Sequence, residues 1–361
     1  MPRVIGIDPG TISIDICGLD DGRLFLDESL PTAEALRDPA AFVQRLKAAG
    51  RIDLVAGPSG YGLPCVAGDQ ATDLDLRLAV LSAEGESGGI GGLRALMRML
   101  ADSGLAVVFT PGVIHLRTVP AHRKVNRIDM GTADKVCAAA LAIREQAARR
   151  RCSLDETAFV LLELGGAFTA AIAVSGGQIV DGVGGSSGPL GLRAAGALDG
   201  EIAFLAGRVS KSTIFAGGVA SIGGDADVES LMTSTSPQRR LAWEAYMESA
   251  VKTVAALIVS APAAGEVILS GRVARVSAVR DEVARRVDAI ARGVTVAVLE
   301  GSTSSATQAA EGAALVADGL AGGAHAPLVD LLGIRQSRGT VLDHLYVISR
   351  EQANTALGIV N

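Results

Sequence analysis

The sequence predicts an α/β protein in which one structural plan occurs twice along the chain. Two similar segments lead to this prediction: Val4-Ile5-Gly6-Ile7-Asp8-Pro9-Gly10-Thr11-Ile12-Ser13 and Phe159-Val160-Leu161-Leu162-Glu163-Leu164-Gly165-Gly166-Ala167-Phe168-Thr169. Each is an apolar run that reaches a carboxylate, then glycine, then a hydroxyl residue. A similar series of predicted strands and helices follows each segment. The length of 361 residues favours two domains, and 49% hydrophobic residues are enough to form their cores.

Composition and charge argue against several classes of protein. The formal net charge is −6, whereas a nucleic-acid-binding protein normally carries a basic face. No apolar run is long enough to span a membrane, and Asp8 interrupts the first one too early for a signal peptide. We therefore expect a cytoplasmic protein with no membrane and no nucleic-acid partner. Cys17, Cys65, Cys137 and Cys152 show neither CxxC nor zinc spacing, so we expect reduced thiols.

In the first half, apolar runs separated by turn residues predict a three-stranded meander and then alternating helices and strands. The predicted elements are strands over 4–7, 13–19 and 23–29, a helix over 39–49, a strand over 54–56, a helix over 91–103, a strand over 106–110 and a helix over 134–150. The segment Pro58–Pro64 is too rich in glycine and proline for either element and is predicted as a loop.

The second half repeats this plan. Its predicted elements are strands over 158–164, 170–174 and 178–183, a helix over 237–260, a strand over 267–269, a helix over 278–292, a strand over 294–299 and a helix over 307–320. The apolar side chains of the long helix, including Trp243 and Met247, are interpreted as core. No element is predicted from Ala326 onward.

The two similar segments have the chemistry of a phosphate and metal site. Glycine permits a tight hairpin with exposed amides, which can bind phosphate together with a hydroxyl group. A carboxylate at the tip of a strand can hold Mg²⁺ through water. The candidate residues are Asp8, Gly10, Thr11 and Ser13 in the first segment, and Glu163, Gly165, Gly166 and Thr169 in the second. An ordinary turn between strands is the alternative for each segment alone.

The order of elements and these motifs resemble the superfamily of actin, sugar kinases and Hsp70-type ATPases, over nearly the whole chain. The resemblance implies duplicated ribonuclease H-like (actin-like ATPase) domains, with a nucleotide cleft between them that takes ATP or ADP and Mg²⁺. It implies domains over 1–130 and 131–361, with interdomain helices near 133–150 and 307–320. Asp8 and Glu163 would serve the metal, although the superfamily more often has Asp at the position of Glu163.

Two further segments resemble parts of that superfamily. Val267-Ile268-Leu269-Ser270-Gly271-Arg272-Val273 is similar to its adenosine loop, with Ser270 in place of the first of two glycines, so Gly271 would lie beside the nucleoside. A plain turn from strand to helix is the alternative. Ala309-Ala310-Glu311-Gly312-Ala313-Ala314 resembles the second interdomain helix, whose small residues allow helices to cross closely.

The densest polar segment, 118–135, precedes the helix at 134–150, where this superfamily places its acceptor chemistry. Asp134 would take a proton from an acceptor hydroxyl or position a water, or it would merely complement the helix dipole. Gly131-x-Ala133-Asp134-Lys135 resembles the Gly-Ala-Asp-Arg segment of type III pantothenate kinases, whose Asp is catalytic. Asp129 is the rival candidate. His122, Arg123, Lys124 and Arg127 would bind an anionic acceptor or the phosphoryl group, or form a solvated basic loop.

A narrower resemblance is to a prokaryotic family of predicted butyrate kinases. It rests on 57–62, 122–135 and Leu198-Asp199-Gly200-Glu201, of which the second is long and specific. It implies a kinase that phosphorylates a short-chain carboxylate such as butyrate, a small-molecule acceptor, and it allows a homodimer. A hydroxyl acceptor with Asp134 as base, an ATPase switch that signals to a partner, and a binding protein that has lost catalysis are the alternatives.

Overall fold

Two β-sheets form from the residues that this computed structural model describes, which are 2–10, 12–81, 90–207 and 209–359. The six-stranded sheet has the order β3-β2-β1-β4-β6-β5, and the five-stranded sheet has the order β11-β10-β7-β8-β9. The strands are β1 (Arg3–Pro9), β2 (Ser13–Asp20), β3 (Arg23–Pro31), β4 (Leu54–Gly57), β5 (Val66–Ala67), β6 (Val107–Phe109), β7 (Ala158–Leu164), β8 (Thr169–Ser175), β9 (Gln178–Val183), β10 (Glu266–Ser270) and β11 (Thr295–Val298).

Helices connect and cover these strands. They are α1 (Thr32–Arg37), α2 (Pro39–Ala48), α3 (Asp73–Val80), α4 (Ile90–Ala101), α5 (Ala121–Lys124), α6 (Ala133–Arg150), α7 (Gly200–Ala206), α8 (Lys211–Ile214), α9 (Val219–Gly223), α10 (Val228–Thr233), α11 (Pro237–Ser260), α12 (Ser277–Ile290), α13 (Gln308–Leu320), α14 (Ala326–Leu331) and α15 (Arg350–Ala356). Each element predicted from the sequence is confirmed to within two residues at either end. No described helix combines the length and the apolar character needed to cross a membrane.

The two sheets share one topology, which confirms the predicted duplication. In the first, β1 pairs antiparallel with β2 and parallel with β4, and β4 pairs parallel with β6. In the second, β7 pairs antiparallel with β8 and parallel with β10, and β10 pairs parallel with β11. The order β3-β2-β1-β4-β6 therefore corresponds to β9-β8-β7-β10-β11, strand for strand.

The chain forms two compact units. The first comprises Met1–Thr157, Gly176–Ile179 and Glu300–Asn361, and the second comprises Ala158–Ser175 and Val180–Leu299. These limits differ from the predicted domains 1–130 and 131–361, because α6 and α13 pack against each other and α13 packs on β1 within the first unit. The assignment of the two predicted domains stays a prediction.

Alternation along β1 decides which side chains enter the core of the first unit. Ile5 and Ile7 lie in the core with side chains of α2 and α4, which cover one face of the sheet. Gly6 and Asp8 lie on the opposite face because successive side chains of a strand alternate. That face meets α13: a Cβ atom on Gly6 would lie 2.1 Å from the backbone nitrogen of Ala314. Asp8 therefore points to the side of the sheet that α13 covers.

The segment Glu300–Thr307, which leads into α13, is held by carboxylates of the first unit. Glu145 on α6 accepts hydrogen bonds from the backbone of Glu300 and Gly301, and Glu311 accepts from Ser302. Asp27 on β3 accepts from the backbone nitrogens of Ser304 at 2.7 Å, Ser305 at 3.1 Å and Ala306 at 2.7 Å. The hydroxyl of Ser304 donates to Asp27 as well. We call Glu300–Thr307 the carboxylate-bound segment.

Replacing Asp27 by asparagine is expected to destabilise the protein by about 1 to 2 kcal/mol at neutral pH, because the amide offers one acceptor oxygen where the carboxylate offers two. Burial alone would raise the pKa of Asp27, but the hydrogen bonds from Ala306, Ser304 and Ser305 outweigh it and lower the pKa. The Asp27 carboxylate therefore binds a proton more readily in the unfolded chain than in the folded protein. Its contribution to the free energy of unfolding is present above about pH 4 and is lost as the pH falls further. Denaturant unfolding of both proteins between pH 3 and 7 measures this, and a difference that does not shrink at low pH would contradict it.

Candidate active site

The first glycine hairpin joins β1 to β2. Asp8, at the end of β1, is opposite Asp15 in the antiparallel register, and Pro9 is opposite Ile14. A Cβ atom on Gly10 would lie 2.7 Å from the carbonyl oxygen of Ser13, so the hairpin has room only for glycine at this position. Thr11, a predicted phosphate ligand, lies outside the described residues. The predicted Ser13 lies at the start of β2, and its hydroxyl donates to Asp15.

The second hairpin, between β7 and β8, has the same geometry. A Cβ atom on Gly165 would lie 2.7 Å from the carbonyl oxygen of Phe168, the same distance as in the first hairpin. Leu164 is opposite Thr169, as Pro9 is opposite Ile14. The two hairpins are therefore equivalent position by position: Glu163 corresponds to Asp8 and Gly165 to Gly10.

This equivalence changes the interpretation of the hydroxyl residues. Thr169 corresponds to Ile14, and Phe168 corresponds to Ser13, so the hydroxyls of the two sequence segments do not occupy matching positions. Thr169 is fully buried on the face of β8 that packs against α11. Burial raises the pKa of Tyr246 on α11, and the Thr169 hydroxyl beside it lowers that pKa in part. Phosphate binding by Thr169 and Gly166 stays a prediction.

Three carboxylates of the first unit come together near the first hairpin, and we call Asp8, Asp15 and Asp134 the carboxylate cluster. Asp134 lies in the first turn of α6, where its side chain accepts hydrogen bonds from the Thr132 hydroxyl and the Lys135 ammonium. The hydroxyl of Thr307, at the start of α13, donates to Asp8 Oδ2 at 2.6 Å. Three elements of the fold thus bring acidic side chains to one place: β1, β2 and α6.

Asp8 and Asp134 differ in how far neighbouring protein groups stabilise their negative charge. Burial, together with the neighbouring charge of Asp134, raises the pKa of Asp8 to about 8. Burial would also raise the pKa of Asp134, but the Lys135 ammonium and the Thr132 hydroxyl lower it. Asp134 therefore carries the charge, while Asp8 is poorly compensated by protein groups. A site of this kind attracts a cation.

The donor set fits Mg²⁺. Mg²⁺ in nucleotide sites is usually bound by one or two carboxylates and keeps water and phosphate oxygens as its other ligands. Asp8, buried at the tip of β1 beside Asp134, supplies such a carboxylate. Within the described ranges, no three or more His, Cys, Asp or Glu side chains form a metal site by themselves. The hairpin at Gly10 has room only for glycine, and phosphate binding by its amides stays a prediction.

In the second unit, the ends of β7 and β10 bring two predicted segments together. Ser270 is beside Glu163 in the parallel register, and the Ser270 hydroxyl is buried without a hydrogen-bond partner among the residues that the structure describes. Gly271 has a positive φ of 88°, and a Cβ atom there would lie 2.6 Å from the carbonyl oxygen of Leu164. Glycine is needed at 271 for both reasons. Glu163, Gly165 and Gly271 thus lie at one edge of this sheet; whether Glu163 serves a metal stays a prediction.

The predicted loop at Pro58–Pro64 lies beside the start of α6. The carbonyl oxygen of Gly60 accepts a hydrogen bond from the backbone nitrogen of Ala133 at 3.3 Å. The backbone of Tyr61 approaches Gly112 so closely that a Cβ atom on Gly112 would lie 2.2 Å from the carbonyl oxygen of Tyr61. This loop is therefore next to the first turn of α6, which carries Asp134.

The other predicted acceptor residues have different surroundings. His122 is exposed on α5, and Arg123 next to it is half-buried. Lys124 is buried: its ammonium donates to the carbonyl oxygen of Leu116, and burial, with the charge of Arg338, lowers its pKa to about 8. The solvated basic loop is therefore wrong for Lys124, which holds the turn after β6. Asp129 is buried and accepts a hydrogen bond from the backbone of Gly131.

Two residues of the site were not predicted. Asp15 lies two residues beyond the hairpin, in a run that was interpreted only as a strand. Thr307 was predicted as the first residue of a helix, and it is the residue that caps α13. In a single sequence, the cap gives no sign that its hydroxyl reaches a carboxylate on β1.

Solved structures of known proteins share this fold. An acetate kinase from Entamoeba histolytica is similar with a TM-score of 0.61 and 12% identity, over 82% of this chain and 95% of that chain. A propionate kinase from Francisella tularensis subsp. tularensis SCHU S4 is similar with a TM-score of 0.62 and 12% identity, over 87% of this chain and 98% of that chain. An acetate kinase from Porphyromonas gingivalis is similar with a TM-score of 0.59 and 14% identity, over 87% of this chain and 98% of that chain.

At such identities the likeness establishes the fold. The chain is a two-domain α/β protein with the duplicated ribonuclease H-like fold of the actin-like ATPases. By sequence, it belongs to the family described as "Protein of unknown function (DUF1464)", whose model matches residues 6–347. No curated protein matches the sequence.

Proposed function

We propose that the protein is an ATP-dependent kinase of a small molecule. The observation that carries this proposal is the buried Asp8 carboxylate, placed at the tip of β1 beside a glycine hairpin and opposite Asp134 in the first turn of α6. A phosphotransferase needs a carboxylate for Mg²⁺, amides for phosphate, and a polar group beside the acceptor. In this proposal β1, its hairpin and α6 of the first unit would supply all three.

Each residue has a role in this proposal. Mg-ATP, when bound, supplies the phosphoryl group. Asp8 would hold the Mg²⁺ through water, and the hairpins at Gly10 and Gly165 would bind phosphate groups with their amides. The loop at Pro58–Pro64 and the start of α6 would hold the acceptor near Asp134.

A short-chain carboxylate such as butyrate is the acceptor that we propose. The similar solved structures include acetate and propionate kinases, and the sequence resembles predicted butyrate kinases. A carboxylate is already ionised at neutral pH. Its oxygen would attack the γ-phosphorus, the bond from that phosphorus to ADP would break, and no proton would move. His122 and Arg123 are the predicted ligands of the anionic acceptor.

A hydroxyl acceptor is the second candidate, and one observation favours it. Lys135 and Thr132 keep Asp134 ionised, which is the state a general base needs. In this reaction the hydroxyl oxygen would attack the γ-phosphorus, the bond from that phosphorus to ADP would break, and the proton of the hydroxyl would pass to Asp134.

A panel of acceptors tests the proposal. The protein is incubated with Mg-ATP and butyrate, propionate, acetate or simple sugars and alcohols, and ADP release is measured. Hydroxylamine in parallel reactions traps an acyl phosphate as a hydroxamate. ADP release that requires a carboxylate and yields the hydroxamate supports the carboxylate kinase. ADP release that requires a hydroxyl compound supports the second candidate, and slow release that no acceptor accelerates would contradict both.

Replacing Asp134 by asparagine is expected to separate the two acceptors. With a carboxylate acceptor no proton is removed, so we expect kcat to fall by about tenfold or less. With a hydroxyl acceptor, loss of a general base costs about 10²-fold or more. Asp129→Asn is the matched comparison, because Asp129 is the rival candidate on the same segment. A larger loss in Asp129→Asn than in Asp134→Asn would contradict the assignment of Asp134.

A further inference from the structure

We propose that Thr307 is a positioning residue that fixes the Asp8 carboxylate for Mg²⁺. This inference rests on the proposed function, in which Asp8 holds the metal. Its basis is the 2.6 Å hydrogen bond from Thr307 Oγ1 to Asp8 Oδ2, between residues far apart in sequence. Thr307 touches no reacting atom in this scheme and acts through Asp8.

Thr307 Oγ1 also makes a second hydrogen bond. It accepts from the backbone nitrogen of Ala310 at 3.3 Å, as the cap of α13. A hydroxyl can donate one hydrogen bond and accept two. Thr307 therefore joins the start of α13 to Asp8: it accepts from the Ala310 amide and donates to Asp8 Oδ2, which holds this carboxylate in one orientation.

Thr307 is itself held firmly in place. It ends the carboxylate-bound segment, in which Asp27 binds the backbone of the three preceding residues. On its other side, α13 lies against β1 so closely that a Cβ atom on Gly6 would be 2.4 Å from the carbonyl oxygen of Ala310. The start of α13 is therefore held against β1 at Gly6, two residues before Asp8, and this contact keeps Thr307 beside the Asp8 carboxylate.

The hydrogen bond from Thr307 would limit the orientations of the Asp8 carboxylate toward a Mg²⁺-bound water. Partners that orient a metal-binding carboxylate typically affect metal affinity 10- to 100-fold when they are removed. Thr307 is thus expected to control the Mg²⁺ dependence of nucleotide binding, more than the chemical step.

Calorimetric titration of ATP with and without Mg²⁺ tests this inference, on wild type, Thr307→Val and Thr307→Ser. Thr72→Val is the matched control, because Thr72 also caps a helix, α3, through its side chain but is bonded to Asp75. We expect Thr307→Val to need at least about tenfold more Mg²⁺ for half-maximal enhancement of ATP binding. Thr307→Ser and Thr72→Val are expected to match wild type, and ATP affinity without Mg²⁺ is expected to stay unchanged in all four.

The outcomes distinguish this inference from the proposed function. If wild type binds no ATP in the presence of Mg²⁺, the proposed function fails and this inference fails with it. If wild type binds Mg-ATP and Thr307→Val keeps the same Mg²⁺ dependence, only the inference is overturned. An equal loss in Thr72→Val would also overturn it, since the effect would then belong to helix capping in general.

Discussion

Asp8→Asn is expected to lower phosphoryl transfer from ATP by about 10³-fold while the protein without nucleotide folds at least as well as wild type. A metal ion typically supplies several kcal/mol of charge stabilisation in the transition state, and each 1.4 kcal/mol is about a factor of ten in rate. Asparagine keeps the shape of Asp8 and removes the charge that would hold Mg²⁺. Steady-state rates at saturating acceptor, with thermal unfolding of the same samples, measure both effects.

The expected stability has a separate cause. Asp8 and Asp134 are close acidic neighbours, and burial with the charge of Asp134 raises the pKa of Asp8 to about 8. The folded protein without ligand must therefore bind a proton at Asp8 that the unfolded chain does not hold at neutral pH, and asparagine, which is neutral in both states, removes that cost. Asp20→Asn is the control, since Asp20 ends β2 in an ion pair with Arg3. Transfer by Asp8→Asn within tenfold of wild type would contradict the role of Asp8, and so would an equal loss in Asp20→Asn.

Gly312→Ala is expected to destabilise the protein by about 3 kcal/mol or more. A Cβ atom at 312 would lie 1.9 Å from the carbonyl oxygen of Cys137, where α13 crosses α6. The atom in the way belongs to a helix backbone, so α6 and α13 would have to separate to admit one methyl group. Denaturant unfolding followed by circular dichroism measures the loss.

Gly200→Ala is the matched control for this substitution. Gly200 begins α7, and a Cβ atom there would meet no atom of the described part of the chain within 4 Å, apart from its neighbours in sequence and the backbone of its own helix. Alanine in a helix is favoured over glycine by about 0.5–1 kcal/mol, so Gly200→Ala is expected to be neutral or slightly stabilising. If Gly312→Ala proved as stable as Gly200→Ala, the close crossing of α6 and α13 would be contradicted.

The regular elements and the duplication could be predicted because their signals are local. The apolar run at Val4–Ile7, the proline that begins α11 and the small residues of α13 each act on their near neighbours in sequence. The glycines at 10 and 165 could be predicted for the same reason. Each follows directly after a strand whose last two residues are a carboxylate and an uncharged residue, Asp8-Pro9 before Gly10 and Glu163-Leu164 before Gly165.

The rest of the site depends on contacts between distant parts of the chain. The register of the two hairpins decides that Thr169 corresponds to Ile14, and a one-residue difference in alignment is enough to mislead a comparison of motifs. Lys124 was predicted either to bind an anionic group or to lie in a solvated basic loop, but its ammonium donates to the carbonyl oxygen of Leu116. The short helices α7 to α10 were not predicted, because runs of four to seven residues carry little periodicity.

Thermal unfolding of the wild-type protein with and without Mg-ATP tests the central claim most directly. A ligand that binds the folded protein at 100-fold excess over its dissociation constant stabilises it by about 2.7 kcal/mol. We expect Mg-ATP to raise the unfolding temperature by several degrees, and Asp8→Asn to lose most of that increase. An unchanged unfolding temperature for wild type in millimolar Mg-ATP would contradict an ATP-dependent kinase.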